Sequence, residues 1–220
     1  MNPASFIDHT LLRPDATAAE IRNLCEEAVE CQFAAVCIPP VYVRQAAELV
    51  YGSGVAVATV IGFPLGYQTP EVKAYEAARA VQQGAKEIDM VIGLGAAREG
   101  NLRQIGEDIA GVVRAASGAE VKVILECCYF APDEKRALAE VALAAGAGWL
   151  KTSTGFGPGG ATLEDVALLL DVSRGRAGVK AAGGIRDWET CRRFLQLGAG
   201  RIGTSSGVAI LHQWRAAHGL

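Results

Sequence analysis

The 220-residue chain is half apolar and one-fifth charged, with a formal net charge of −3 from 21 basic and 24 acidic side chains. That composition excludes a disordered chain, and without a basic run or 18 uninterrupted apolar residues it speaks against a nucleic-acid partner and against a membrane span. Six cysteines and three histidines, with no paired C-x-x-C and no H-E-x-x-H spacing, make neither a disulfide scaffold nor a transition-metal site.

The expectations are therefore reduced thiols, no metal and no cofactor. Asp8, His9 and Arg13 stand where a signal peptide would need its apolar core, so the chain reads as cytoplasmic.

Along the chain, short β-branched or apolar runs alternate with longer stretches of helical periodicity, the pattern of repeated βα units around a parallel sheet. Strands are expected at 6–10, 34–38, 55–61, 87–92, 121–126, 148–153, 179–182 and 201–204. Helices are expected at 17–31, 40–51, 70–83, 101–116, 132–145, 162–173, 187–197 and 206–217. Pro40, Pro70 and Pro132 suit a first helical turn, Asp187 with Thr190 suits a cap, and Gly84, Gly146 and Gly198 fall where helices should stop. Eight such units close a barrel, so the expected fold is α/β, a (β/α)₈ TIM barrel with eight parallel strands in a single domain over 1–220. A doubly wound open sheet is the alternative. It usually carries G-x-G-x-x-G in its first βα turn, and residues 8–14 contain no glycine.

Polar residues collect at the C-terminal ends of the expected strands: Asp8 and Thr10, Cys37, Asp89, Glu126, Lys151 with Thr152 and Thr154, Lys180, and Ser205 with Ser206. That end of a (β/α)₈ barrel is where active sites sit. Lys151 follows an apolar run and Lys180 lies within another, where a cation must be paired, shifted in pKa or both, unless it snorkels to solvent. One βα unit separates them, which places them on neighbouring strands, and two cations in one pocket disfavour each other's charged form, a route to a nucleophilic amine. Asp89 alternates with apolar neighbours as an inward strand residue would, either moving protons or only balancing the lysines. Asp8 has two readings, a direct role or a strand-end hydrogen-bonding cluster with His9 and Thr10. Glycine-rich turns follow strands six, seven and eight, at Gly155 to Gly160, at Gly183 and Gly184, and at Gly203 to Gly207 with Ser205 and Ser206 between. Bare amides in the last two loops are the usual phosphate cradle of this fold, so a phosphorylated small molecule is the expected ligand.

Seven stretches in order carry a more specific signal. They are Ile7-Asp8-His9-Thr10-Leu11-Leu12, Val36-Cys37-Ile38-Pro39-Pro40, Gly62-Phe63-Pro64-Leu65-Gly66, Glu87-Ile88-Asp89-Met90-Val91, Lys151-Thr152-Ser153-Thr154-Gly155-Phe156, Val179-Lys180-Ala181-Ala182-Gly183-Gly184-Ile185-Arg186 and Gly203-Thr204-Ser205-Ser206. The chain resembles the class I deoxyribose-phosphate aldolases. The resemblance implies retro-aldol cleavage of 2-deoxyribose 5-phosphate to glyceraldehyde 3-phosphate and acetaldehyde. It implies an imine on Lys151, Lys180 lowering the pKa of that lysine and relaying protons, and Asp89 shuttling protons through water. By the same likeness Gly183, Gly184, Ser205 and Ser206 would hold the phosphate, with Thr152, Thr154 and Gly155 lining the pocket and Asp8 and Cys37 near it. A thiol between Val36 and Ile38 is more often packing than nucleophile.

The sequence departs from some relatives at Phe156, where they have a lysine, and in its tail from His212 to Leu220, which lacks a tyrosine. Two rival readings keep the glycine loops: a phosphate-binding barrel isomerase or decarboxylase, which needs no imine, and a sugar-phosphate sensor without turnover. A homodimer is the expected assembly, dimers being the commonest.

Overall fold

The computed structural model describes residues 2–220. Its strands are β1 (Ile7–Thr10), β2 (Ala35–Ile38), β3 (Ala56–Ile61), β4 (Glu87–Val91), β5 (Glu120–Ile124), β6 (Trp149–Lys151), β7 (Gly178–Ala182) and β8 (Arg201–Thr204). They pair in chain order, all parallel, and β8 closes on β1, so the expected (β/α)₈ barrel is the fold. Around it lie α1 (Ala18–Cys31), α2 (Val43–Leu49), α3 (Pro70–Gln82), α4 (Leu94–Arg98), α5 (Leu102–Ala115), α6 (Pro132–Ala144), α7 (Leu163–Ser173), α8 (Trp188–Leu197) and α9 (Gly207–Ala217).

Local chemistry sets the helix ends. Thr17 and Glu20 cap α1 reciprocally, and Asp187 accepts from Thr190 N at 2.8 Å at the start of α8. Proline opens α3 and α6 at their first turn, as expected. The helix expected at 40–51 is shorter than its pattern: Pro40–Tyr42 forms a 3₁₀ turn, and α2 begins only at Val43. The strand expected to reach Glu126 stops at Ile124, because Glu126 turns into left-handed backbone at φ 54°. Likewise β6 ends at Lys151, where the chain leaves the ladder for a glycine-rich loop.

Strand alternation divides the core into two layers. Outward side chains such as Ile88, Met90, Val123, Leu150 and Ile202 are fully buried under the helices, each worth about 1.5–3 kcal/mol relative to exposure. Inside the barrel, β2 and β3 contribute only small apolar groups, Ala35, Cys37, Ala58 and Val60. The opposite half of the interior is charged: Asp8, Glu87, Asp89, Lys122, Lys151 and Lys180 are all buried there. Barrel interiors are ordinarily filled by branched apolar residues, so this half must hold together by mutual pairing.

Candidate active site

Register brings the charges into reach of one another. Lys151 on β6 lies directly beside Lys180 on β7, and Asp89 on β4 lies beside Lys122 on β5. Lys151 Nζ donates to Asp89 Oδ2 at 2.8 Å and Lys180 Nζ donates to the same oxygen at 2.7 Å. The other oxygen, Oδ1, accepts from Lys122 Nζ at 2.9 Å, and Lys122 also donates to Glu87 at 2.6 Å. Asp8 stands 2.5 Å from Lys180 Nζ and accepts from Arg201 at 2.6 Å. Arg201 spans to both oxygens of Glu87 and lies 5.5 Å from the centre of the Trp149 ring.

Four cations, Lys122, Lys151, Lys180 and Arg201, thus face three carboxylates, Asp8, Glu87 and Asp89, leaving one positive charge in excess. Burial opposes ionisation of Asp89, but the ammoniums of Lys122, Lys151 and Lys180 outweigh it and hold the carboxyl well below its ordinary value. Burial likewise disfavours the Lys180 ammonium, and Asp8 and Asp89 outweigh it and hold that lysine well above 10.5. Asp89 is a fixed anion and Lys180 a fixed cation at neutral pH. Lys122 is raised for the same reason, with Asp89 its foremost partner against burial.

A cavity of 310 Å³ opens at the C-terminal ends of the strands, and Lys151 lies on its wall beside Thr154, Gly155, Gly183, Gly184 and Ser205. A groove of 540 Å³ at Leu163, Glu164 and Arg193 is larger, but it lies on the outer helices and touches none of the buried charges. Size alone does not make a site; the smaller cavity has convergent polar groups at its floor.

The expected site residues sort into three groups. Lys151, Thr154, Gly155, Gly183, Gly184 and Ser205 line the cavity. Asp89 and Lys180 are fully buried, off the lining but paired with or beside Lys151, and Asp8 lies one ion pair further away. Thr152, Cys37 and Ser206 are absent from the lining. Thr152 is fully buried, its hydroxyl donating to Ala182 O and accepting from Ala182 N, so it staples β6 to β7. Period two explains this, since neighbours in a strand face opposite ways and Lys151 takes the inward face. Cys37 is fully buried in the apolar half of the barrel, and burial pushes its thiol up. The backbone N–H of Ser206 is already committed to Thr204 Oγ1 at 2.9 Å. Of the Asp8-His9-Thr10 cluster, the Asp8 side chain points inward and the Thr10 hydroxyl donates to Asp8 O at 2.8 Å, while His9 turns away to bond Glu27 at 2.7 Å.

Other residues complete the cavity wall and its supports. Glu126 accepts from both Thr154 N and Thr154 Oγ1, and Thr154 Oγ1 in turn accepts from Phe156 N at 3.0 Å, so this carboxylate shapes the loop over the cavity. Gly160 and Gly183 pack backbone on backbone: a Cβ at Gly160 would lie 2.3 Å from Gly183 O. The glycines are thus required for loop–loop contact as well as for any ligand. Arg13, Phe156 and Arg186 also line the cavity. The tail packs away from it, with His218 against Trp188 and Trp214. Among the described residues no three His, Cys, Asp or Glu side chains converge as a metal site would require.

Fold and site together define a (β/α)₈ barrel with a buried, ion-paired lysine at the floor of the cavity at its C-terminal end, where barrel active sites sit. A family model described as DeoC/LacD family aldolase matches residues 4–213, and the chain belongs to that family. It is similar to the deoxyribose-phosphate aldolase of Syntrophotalea carbinolica, 56% identical over 216 residues and 98% of each chain. The deoxyribose-phosphate aldolase of Thermus thermophilus is 54% identical over 211 residues, covering 96% of each. A tetrameric deoxyribose phosphate aldolase from Aeropyrum pernix superposes with a TM-score of 0.91 at 37% identity, over 97% of this chain and 91% of that one.

Proposed function

We propose that the chain, acting as one barrel domain over 1–220, cleaves 2-deoxyribose 5-phosphate to glyceraldehyde 3-phosphate and acetaldehyde through an imine on Lys151. The observation that carries this reading is the placement of Lys151: it is the one lysine in the cavity lining, and it shares an Asp89 oxygen with Lys180. The names of the relatives support the substrate.

Each step follows from groups on the page. The free amine of Lys151 attacks C1 of the open-chain sugar, and loss of water leaves an iminium, which restores the positive charge that the network already accommodates. Asp89 Oδ2, 2.8 Å from Nζ, accepts from the iminium N–H and stabilises it. Loss of the C3 hydroxyl proton then breaks the C2–C3 bond, its electron pair moves into the iminium, and glyceraldehyde 3-phosphate departs from an enamine. Protonation at C2 and hydrolysis return acetaldehyde and the amine. Asp89 and Lys180, charged at rest beside Lys151, would set the local field and pass these protons through the water they orient. The amides after β7 and β8, with Gly183, Gly184 and Ser205, would receive the phosphate.

Turnover tests the reading. Incubation with 2-deoxyribose 5-phosphate should release acetaldehyde and glyceraldehyde 3-phosphate in equal amounts, followed by NADH-linked reduction. An isomerised sugar phosphate with no aldehyde release would favour the isomerase reading. We read the enzyme as a cytoplasmic homodimer: all six cysteines are free, and Tyr67 and Tyr75 present apolar surface. Among the described residues no helix is long and apolar enough to cross a membrane. The Aeropyrum pernix protein is a tetramer, so sedimentation velocity should separate two subunits from four.

A further inference from the structure

The cavity poses a charge problem that the glycine loops alone do not solve. A phosphate ester brings two negative charges near neutral pH, and Lys151, the one lysine on the wall, is committed to Asp89 and to the imine. Phe156 adds no charge to the loop after β6, its ring edge-on to Phe63 at 5.3 Å. Two guanidinium groups remain on the wall, Arg186 after β7 and Arg13 after β1.

Arg13 is built into place. Its Nη1 pairs with Asp15 at 2.6 Å and its Nη2 pairs with Glu20. Glu20 is itself fixed by the cap of α1, where Thr17 N and Thr17 Oγ1 both donate to its other oxygen at 2.9 and 2.8 Å. The carboxylates are well exposed, at 76% and 39% of their side-chain surface, so the pairs contribute little to stability in water. Their effect is to bias the rotamers of the side chain, so that less freedom is lost on binding. A guanidinium has five N–H donors in a planar fork, and one contact on each terminal nitrogen leaves further donors unpaired on a residue of the cavity wall.

We propose that Arg13 is a specificity-determining residue that reads the substrate phosphate, the capped N-terminus of α1 serving as its mount. It holds the phosphate from the β1 side of the mouth while the glycine loops hold it from the β7 and β8 side. This rests on the reading of the cavity as a sugar-phosphate site, and it adds the residue by which this chain tells a phosphorylated from an unphosphorylated substrate.

The test compares the natural protein with Arg13→Gln and Arg13→Lys on 2-deoxyribose 5-phosphate and on 2-deoxyribose, with inorganic phosphate binding measured by calorimetry. In Arg13→Gln the ratio of kcat/KM for the phosphorylated over the unphosphorylated substrate should fall about tenfold to a hundredfold, the range of a lost charge-assisted contact. The loss should fall on KM rather than kcat, phosphate binding should weaken with it, and Arg13→Lys should recover part, a point charge replacing a fork. An unchanged ratio with unchanged phosphate binding overturns the proposal, as does an equal loss on both substrates, which would mark a loop that has merely collapsed. If the natural protein cleaves neither sugar but binds inorganic phosphate more tightly than Arg13→Gln does, the aldolase substrate is wrong and the role of Arg13 stands.

Discussion

Asp89→Asn removes one charge from a site where that charge has three partners. In the natural protein Asp89 accepts from Lys122, Lys151 and Lys180 at 2.9, 2.8 and 2.7 Å, all within a fully buried network. The amide keeps shape and one acceptor but leaves four cations against Asp8 and Glu87 alone. Removing one member of a buried ion pair typically destabilises by about 3–5 kcal/mol. At about 2–4 °C per kcal/mol for a chain of this size, the melting midpoint should drop by roughly 6–20 °C at pH 7. A carboxyl held below its ordinary 3.8 contributes stability that is full above that pH and is lost as the pH falls through the folded value. The gap between natural and variant protein should therefore be constant near neutrality and begin to narrow below about pH 4. Lys180, held above 10.5, adds stability that is full below that pH and fades only as the pH rises beyond it. Calorimetry from pH 3 to 9 reads the Asp89 dependence while the Lys180 contribution stays full, and in turnover at pH 7 kcat should fall about 10²- to 10⁴-fold. A variant melting within 1 °C of the natural protein, or a gap that persists unchanged at pH 3, would refute the claim that Asp89 holds the lysines.

Other perturbations probe separate parts of the account. Lys122→Met should destabilise by about 3–5 kcal/mol at pH 7, because Glu87 and Asp89 lose the ammonium between them, as urea titrations at that pH would show. Gly160→Ala drives a Cβ to 2.3 Å from Gly183 O, a backbone atom, and should lower stability by about 1–3 kcal/mol and raise KM as the two loops are forced apart. Gly95→Ala, in α4 with open space around it, is the control and should leave the melt unchanged or slightly raised.

The barrel was legible because each unit is locally consistent. Pro70 and Pro132 open helices, Gly198 closes one at φ 116°, and the inward positions of β4 carry the only acids among its apolar residues. The pairing of Lys151 with Lys180 followed from their spacing by one βα unit. Lys122 carried the same signal as Asp89, a charge alternating with valines in Glu120–Ile124, and that signal went unused. Arg201 carries no strand-end signal, because it enters the network from the opposite end of β8. Thr152 shows the converse: its motif suggested the pocket, while its parity beside Lys151 placed it on the other face. The five residues of α4 are too few to show a helical period at all.

The most direct test of the central claim is intact mass after borohydride reduction in the presence of 2-deoxyribose 5-phosphate, for the natural protein and for Lys151→Ala. The account predicts a covalent adduct that maps to Lys151 and is missing from the variant. An unmodified natural protein that still releases aldehyde, or an adduct that survives in Lys151→Ala, would contradict it.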